Sequence, residues 1–170
     1  MIFIQDDSFL TKDHKKKLNN IFKNGNNFPF YLADIATKPG DGGYHFIHRV
    51  SLPEKEKNSP FYPTAKDILE TFCTKHKIQL SRIYRCAVNI TFSNGFVYKC
   101  PIHYDHDFFY KQLLLYLNDA NGDTVILNKE KKPFKIIEPK RYRAIYTPKS
   151  PHYHYFPTRG IRKLMVFTFI

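Results

Sequence analysis

Apolar side chains recur at the spacing of a helix in two stretches of the first 80 residues. The first stretch comprises Leu10, His14, Leu18, Ile21 and Phe22. It predicts a helix that stops near Gly25, since glycine commonly follows a helix end. The second stretch comprises Ala65, Ile68, Leu69 and Phe72, and Thr64 with Asp67 approximates a capping box at its start. Residues 39–43 (PGDGG) and the proline-rich residues 51–63 predict loops between the helices.

From about residue 82 onward the pattern changes to short segments rich in Val, Ile, Tyr and Phe, separated by turn-forming residues. Seven such segments predict strands, at residues 83–92, 96–100, 112–117, 124–128, 134–138, 142–147 and 163–170. Residues 118–123 (NDANGD) have the composition of a hairpin turn, so we interpret their acids as turn formers. We therefore predict a mainly β protein with flanking helices, in which antiparallel sheets form a sandwich or jelly roll.

The composition is that of one globular domain. The chain has 170 residues, which is too short for two comfortable domains, and 42% of them are hydrophobic, which excludes a disordered chain. We expect a buttress of helices and loops over residues 1–80 and a β core that carries the functional site over residues 81–170.

Cysteine usage and charge indicate the compartment and the partners. We expect neither a membrane nor a secreted protein, because no apolar run approaches the roughly 18 residues of a membrane span and residues 1–10 lack the basic flank of a signal peptide. Cys73, Cys86 and Cys100 lack CxxC spacing, which favours buried small hydrophobes in a reducing cytoplasm. The net charge of +12 permits nucleic acid as a partner, but the lysines are dispersed and no nucleic-acid motif accompanies them, so this is the minor alternative.

Candidate chemistry lies in the strand-rich half of the chain. His103 and Asp105 form an H-x-D pair, and on a strand residues i and i+2 point to the same face, so both could reach one ion. An isolated pair of this kind is more often a histidine at a turn beside a solvated carboxylate. A second element about 50 residues downstream strengthens the metal interpretation, because His152 or His154 could supply a third ligand ahead of Arg162.

Two histidines and one carboxylate leave several coordination positions of one metal ion open. Non-haem Fe(II) sites use this set to accept a co-substrate and oxygen, whereas zinc enzymes use the open position for water. Arg162 favours iron, because a guanidinium suits a carboxylate and a dicarboxylate that chelates iron at one end needs a partner at the other. Lys163 is the alternative partner, although the two side chains point to opposite faces of a strand.

These motifs resemble iron(II)- and 2-oxoglutarate-dependent oxygenases, in particular the prolyl-4-hydroxylase-like branch found in marine bacteria and phages. The matching stretch, about residues 84–170, covers half of the chain. It contains R-x-x-x-N (Arg85, Asn89), H-x-D (His103, Asp105), LLLYLNDANGDT (113–124) and H-x4-P-x2-G-x-R (His152, Pro157, Gly160, Arg162). The segment LYLNDANGDT is the most specific of these, and FPFYLAD at residues 28–34 looks like the family's N-terminal strand.

The resemblance implies a double-stranded β-helix, a cupin-like jelly roll, and a hydroxylation reaction. With O2 as oxidant, 2-oxoglutarate would yield succinate and CO2 while a C–H bond is hydroxylated, in a peptidyl proline, a related side chain or a small molecule. The residues that the resemblance assigns are His103, Asp105 and His152 for Fe(II), and Arg162, Asn89 and Tyr116 for 2-oxoglutarate. The loops of residues 38–62 would shape the substrate entrance. A same-fold oxygenase acting on nucleic acid and a non-catalytic basic β-domain are the alternatives.

The distal metal ligand has two candidates. His152 stands ten residues before Arg162, which is similar to the family spacing, and it is preferred. His154 stands eight residues before Arg162 and is the reserve, able to lie near the metal without binding it.

Other histidines have simpler interpretations. His106 and Asp107 could form a second metal face, but the H-x-D register already accounts for the site. His45 and His48 are interpreted as structural or substrate-loop residues. For both Asn89 and Tyr116, ordinary sheet packing or a turn bond is at least as good an explanation as a co-substrate contact.

Overall fold

Two antiparallel sheets and two helices make up the part of the fold that the structure describes. The structure, a computed structural model, describes residues 2–22, 28–33, 44–53, 55, 57–93 and 97–170. Its elements are β1 (Ile4–Asp6), α1 (Lys12–Asn20), β2 (Tyr31–Ala33), β3 (His45–Ser51), α2 (Tyr62–Lys75), β4 (Ile83–Phe92), β5 (Lys111–Tyr116), β6 (Thr124–Leu127), β7 (Pro133–Ile137), β8 (Ala144–Pro148), β9 (His152–His154) and β10 (Ile161–Phe169).

The sheet order is that of a jelly roll. A seven-stranded sheet has the order β1-β8-β5-β10-β4-β3-β2, and a three-stranded sheet has the order β7-β6-β9. All pairings are antiparallel, and chain neighbours such as β5 and β6 lie in different sheets. The prediction of a mainly β double-stranded β-helix with flanking helices is therefore confirmed.

The large sheet separates two environments because side chains alternate along each strand. On β10, Met165, Phe167 and Phe169 are fully buried in the main apolar core, which also includes the apolar faces of both helices. The intervening residues Leu164 and Val166 belong to a separate cluster on the opposite face, towards the small sheet. The space between the two sheets is therefore distinct from the core that packs on the helices.

Helix α1 begins with a capping box that the sequence pattern did not indicate. The Thr11 hydroxyl accepts a hydrogen bond from the His14 backbone N–H at 3.1 Å, and His14 Nδ1 lies 3.4 Å from the Thr11 backbone N. The other ring nitrogen of His14 lies 2.8 Å from Asp67 Oδ2 on α2, so this histidine also joins the two helices. The predicted stop near Gly25 falls outside the described residues.

Helix α2 carries the predicted apolar stripe but not the predicted cap. Ala65, Ile68, Leu69 and Phe72 are all buried. The helix begins at Tyr62 with Phe61 as its N-cap residue, which makes no side-chain capping bond. The predicted Thr64–Asp67 box is therefore wrong, because proline at the first turn starts the helix two residues earlier.

The first 80 residues also hold more strand than the pattern indicated. Strands β1, β2 and β3 all join the seven-stranded sheet. Two of them have three residues each, which is too short for an alternating pattern to be recognised. The FPFYLAD segment does supply β2, and its last residue lies outside the described part, as do residues 39–43 of the predicted loops.

Two further local predictions were wrong. The predicted strand at 96–100 is, over its described residues, a single bridge between Lys99 and Tyr155. The predicted hairpin turn at 118–123 instead carries the chain from one sheet to the other, because β5 and β6 do not pair. Asn118 fixes this crossing by accepting from the Lys163 backbone N–H at 2.8 Å.

Within the described part of the chain, neither helix combines the length and the apolar character that crossing a bilayer would require.

Candidate metal and co-substrate site

A cavity of about 230 Å³ lies between the two sheets. Alternate residues of β3, β4 and β10 line one side, among them Arg85, Asn89 and Arg162. The small sheet contributes Thr124 and His154 from the other side. The cavity is thus formed by the inward-facing positions of the same strands whose other faces form the apolar core.

His103, Asp105 and His152 meet at one point of this cavity. One potential ligand atom from each lies within 4.8 Å of the others, a separation that a single metal ion can span. The backbones of His103 and His152 are joined by two hydrogen bonds, with each N–H donating to the other carbonyl at 3.0 and 3.1 Å. This bridge brings together two segments that are far apart in the chain.

Both imidazole rings are oriented by backbone carbonyls. Nδ1 of His103 lies 2.9 Å from the carbonyl oxygen of Pro101, and Nδ1 of His152 lies 3.0 Å from that of Ser150. A carbonyl oxygen only accepts, so each Nδ1 carries the proton and each Nε2 keeps its lone pair. Metal-binding histidines are commonly fixed by such a hydrogen bond. The two rings are therefore prepared to bind a cation through Nε2.

Asp105 is held by three neighbours, two at its carboxylate and one at its backbone. Arg85 Nη2 lies 3.1 Å from Oδ1, and Gln112 Nε2 donates to Oδ2. The Tyr110 hydroxyl accepts from the Asp105 backbone N–H at 2.8 Å. Burial opposes ionisation of this carboxyl, but the surrounding charged groups, Arg85 first among them, together outweigh it and lower the pKa of Asp105. The carboxylate is thus kept anionic, as a metal ligand must be.

Nearby charges and burial also keep His103 unprotonated. Burial lowers the pKa of His103 below its ordinary value, and the neighbouring His152 lowers it further.

Of the residues around the cluster, Arg85 was indicated by the sequence only through the R-x-x-x-N motif. Gln112 and Tyr110 carried no signal in the sequence, since their contacts depend on strand pairing.

Arg162 lies at the other end of the cavity and is 2% exposed. Its Nη2 donates to Thr124 Oγ1 at 2.8 Å, and the guanidinium carbon lies 5.4 Å from the centre of the Tyr116 ring. The Tyr116 hydroxyl donates to the same Thr124 oxygen at 2.7 Å. Lys163 points to the opposite face, where its Nζ lies 4.0 Å from the centre of the Phe22 ring. Of the two candidate partners for a carboxylate, Arg162 is therefore the one in the cavity.

Several buried polar atoms lining the cavity have no hydrogen-bond partner within the described protein. They are Arg85 Nε, Asn89 Oδ1, Thr91 Oγ1, His154 Nε2 and Arg162 Nε. Each buried, unsatisfied group costs about 1–3 kcal/mol, so a concentration of them in one cavity indicates a polar ligand. A dicarboxylate with a keto group offers acceptors to the arginines and the histidine, so this lining fits 2-oxoglutarate.

The remaining predicted residues take different places. His154 lines the cavity but is not part of the three-residue cluster, and burial followed by the charge of Arg162 lowers its pKa well below the ordinary value. His106 is turned towards Thr168, with 2.8 Å between Nε2 and Oγ1. His48 is buried between the Pro29 carbonyl and the Ser59 hydroxyl, which makes it structural, whereas His45 lines the cavity.

All three cysteines are buried free thiols. Burial raises the pKa of the Cys73 thiol to about 11, and it packs in the main core with Cys86. Cys100 differs, since its Sγ lies 3.2 Å from Nδ1 of His154. The interpretation of Cys100 as a mere small hydrophobe missed this pair, because the two residues are 54 positions apart in the chain.

Comparison with known proteins finds solved structures with the same fold but no matching family model or curated protein. No protein-family model matches the chain, and no curated protein is significantly similar to it. A 2OG-Fe(II) oxygenase family oxidoreductase from Burkholderia pseudomallei superposes with a TM-score of 0.77 at 14% identity, over 98% of this chain and 84% of that one.

Two prolyl hydroxylases also superpose. A prolyl-4-hydroxylase from Pseudomonas putida gives a TM-score of 0.67 at 14% identity, over 98% of this chain and 91% of that one. A prolyl hydroxylase from Trichoplax adhaerens, in complex with a hypoxia inducible factor peptide fragment, gives 0.64 at 15% identity, over 99% and 83%. The chain thus has the double-stranded β-helix fold of 2-oxoglutarate- and iron-dependent oxygenases.

Proposed function

We propose that this protein is an Fe(II)- and 2-oxoglutarate-dependent dioxygenase that hydroxylates a C–H bond with release of succinate and CO2. One observation carries the proposal: the His103, Asp105 and His152 cluster and the buried Arg162 face the same cavity between the two sheets. An ion-binding set at one end and a guanidinium at the other match a dicarboxylate co-substrate that chelates a metal.

In this proposal the metal ligands are Nε2 of His103, Nε2 of His152 and the Asp105 carboxylate. When bound, Fe(II) supplies the redox chemistry with oxygen and 2-oxoglutarate that side chains alone do not perform. Backbone carbonyls hold the two imidazoles in one tautomer, and Arg85 with Gln112 holds the carboxylate in place. These contacts fix the ligands before the metal arrives, which favours binding.

The co-substrate would be oriented by the polar lining. Arg162 binds the distal carboxylate through the guanidinium edge that Thr124 leaves free. Asn89 lines the cavity and would contact the co-substrate by donating from its amide Nδ2–H. Tyr116 acts through Thr124, because its hydroxyl is already donated to that residue.

Apolar residues complete the cavity wall. Ala87, Leu114, Leu164 and Val166 line it between the metal cluster and Arg162. A dry wall excludes bulk water and strengthens the charged contacts at both ends of the co-substrate. The same exclusion protects the reacting groups from side reactions with water.

A peptidyl proline or a related side chain is the proposed substrate. The support is the likeness to two prolyl hydroxylases, one of them in complex with a peptide fragment. Residues 38–62, which include β3 and reach the cavity through His45, Ile47 and Arg49, are proposed to shape the entrance. Exchanging them should change substrate preference without abolishing co-substrate turnover.

The test of the enzyme class is succinate formation by anaerobically purified, Fe(II)-loaded protein after exposure to oxygen. Turnover uncoupled from a substrate is sufficient as a readout. We expect turnover in the wild type and a reduced rate in His154→Ala. His103→Ala and His152→Ala should show no turnover, and Arg162→Ala should show none at low co-substrate concentration. A wild type that retains no iron and forms no succinate would contradict the proposal, and salt-sensitive nucleic-acid binding unaffected by His103→Ala would favour a basic binding domain instead.

A further inference from the structure

We propose that His154 is a second binding residue for the distal carboxylate of the co-substrate, with Cys100 holding its ring so that Nε2–H donates into the cavity. The inference rests on the proposed function, and it assigns to this chain a contact made by its own histidine two residues beyond the distal metal ligand.

The register of the small sheet places His154 beside Arg162 rather than beside the metal. His154 is paired with Thr124 across β9 and β6, and Thr124 accepts the hydrogen bond from Arg162. Directly opposed residues on neighbouring strands have Cβ atoms about 4.5–5.5 Å apart. His152, two residues earlier, is one strand repeat of about 6–7 Å away along β9. His154 is thus displaced from the metal ligands towards the arginine.

The polar atoms around Arg162 form an incomplete hydrogen-bonding set. His154 Nε2 is buried and without a partner within the described residues, and so are Arg162 Nε and Thr91 Oγ1. Thr91 is opposed to Arg162 across β4 and β10, so it approaches from the other strand. Three unsatisfied groups converge on one end of the cavity, where a carboxylate with two oxygens can accept from all of them.

Cys100 supplies the reason for a fixed ring orientation. Its Sγ accepts from the His154 backbone N–H at 3.2 Å and lies 3.2 Å from Nδ1 of the same residue. The backbones are also joined, since the Cys100 N–H donates to the His154 carbonyl at 3.0 Å. In the proposed arrangement the thiol donates to Nδ1, so that the neutral ring carries its own proton on Nε2. The ring therefore presents a donor to the cavity.

The experiment compares two probes that chelate the metal but differ at the far end. 2-Oxoglutarate reaches Arg162, whereas oxalate binds the metal and has no distal carboxylate. Affinities of both are measured calorimetrically on Mn(II)-loaded protein, which avoids turnover. His154→Leu should weaken 2-oxoglutarate about 10- to 100-fold, the range for losing a hydrogen bond to a charged group, and leave oxalate within about twofold.

Matched variants separate the donor from the ring. His154→Gln keeps an N–H near the Nε2 position and should restore most of the affinity for 2-oxoglutarate. Cys100→Ser keeps a donor towards Nδ1 and should behave like the wild type, whereas Cys100→Ala should weaken 2-oxoglutarate several-fold without affecting oxalate. Thermal midpoints and Mn(II) affinities serve as controls that each variant is folded and loaded.

The outcomes distinguish this inference from the proposed function. If the wild type binds 2-oxoglutarate and His154→Leu binds it equally well, the inference is wrong while the function stands. If His154→Leu loses 2-oxoglutarate and oxalate to the same extent, His154 serves the metal and the inference is also wrong. If the wild type binds Mn(II) but not 2-oxoglutarate, both fall together.

Discussion

The two faces of the seven-stranded sheet are built from the same strands but have different roles. On β10, Phe167 and Phe169 are completely buried against the helices, and their neighbours in that core are apolar. On the other face, Arg162 is equally buried but has an unpartnered nitrogen aimed into a cavity. The helix-facing side stabilises the fold through apolar burial. The cavity side lowers stability, because it buries polar groups whose partner would be a ligand.

The same contrast holds for polar residues. On the helix side, Asp6 is buried with both Lys75 and His76 as partners, at 2.7 and 2.8 Å. On the cavity side, Asn89 Oδ1 and Thr91 Oγ1 have no hydrogen-bond partner within the described chain. Apart from Ser51 Oγ, the unsatisfied buried side-chain atoms of the described residues all line the cavity, which marks the site against the rest of the packing.

The largest expected effect is on the metal cluster. His103→Ala should lower metal affinity and turnover more than about 100-fold, because even changes to the groups behind a ligand cost about 10- to 100-fold. The matched control is His106→Ala, which lies three residues on and is turned towards Thr168. The metal affinity of both variants is measured by anaerobic titration. Equal losses of affinity in His103→Ala and His106→Ala would contradict the assignment of His103 as the ligand.

A mutation on the apolar face should affect stability and spare the site. Phe167→Ala should lower the free energy of unfolding by about 3–5 kcal/mol, because it removes a fully buried ring. Val166→Ala, on the cavity side of the same strand, should cost only about 1–2 kcal/mol. Urea titrations give both values. Should Phe167→Ala prove too unstable, Phe167→Leu provides the milder comparison, and similar costs for positions 166 and 167 would contradict the contrast between the faces.

A mutation on the cavity face should raise stability and weaken co-substrate binding. Thr91→Val removes a buried hydroxyl that has no partner within the described chain, while keeping the shape of a β-branched side chain. We expect the unliganded protein to gain about 1 kcal/mol and the 2-oxoglutarate affinity to fall about 2- to 10-fold. A loss of stability in the absence of ligand would mean that Thr91 is satisfied and that the cavity is not built around a co-substrate.

A further expected effect is a pH dependence of stability that arises on the helix side. Burial opposes ionisation of Asp6, but the hydrogen bonds from Lys75, Ser8 and His76 outweigh it, so the pKa of Asp6 is lowered in the folded protein. A lowered carboxyl pKa contributes stability that is present above the unfolded value near 4 and is lost as the pH falls towards the folded value.

Asp6→Asn should therefore cost about 2 kcal/mol at pH 7, and the difference from the wild type should shrink progressively between pH 4 and pH 2. Denaturant titrations at several pH values measure this. A difference that stays constant down to pH 2 would show that the Asp6 charge is not what stabilises the folded state.

Much of this arrangement was predictable from local sequence. The alternation in β10, the H-x-D pair and the placement of Arg162 before an apolar strand are properties of neighbouring residues, and they located both ends of the cavity. The apolar stripe of α2 was predicted for the same reason. Arg85 and Asn89 share the cavity face because residues four apart on a strand point the same way.

What escaped prediction depends on contacts between distant segments. Gln112 reaches Asp105, and Cys100 reaches His154, only after the sheets have formed. The capping residue of α1 was missed because its partner is a histidine, which offers a ring nitrogen in place of the usual carboxylate. The crossing at residues 118–123 has the composition of a turn, and composition does not determine whether a turn joins strands of one sheet or of two.

The most direct test of the central claim is a crystal structure of the protein with Mn(II) and 2-oxoglutarate. The account predicts the metal on His103, Asp105 and His152, with the distal carboxylate of 2-oxoglutarate on Arg162. A metal bound elsewhere, or a co-substrate that leaves Arg162 untouched, would contradict it.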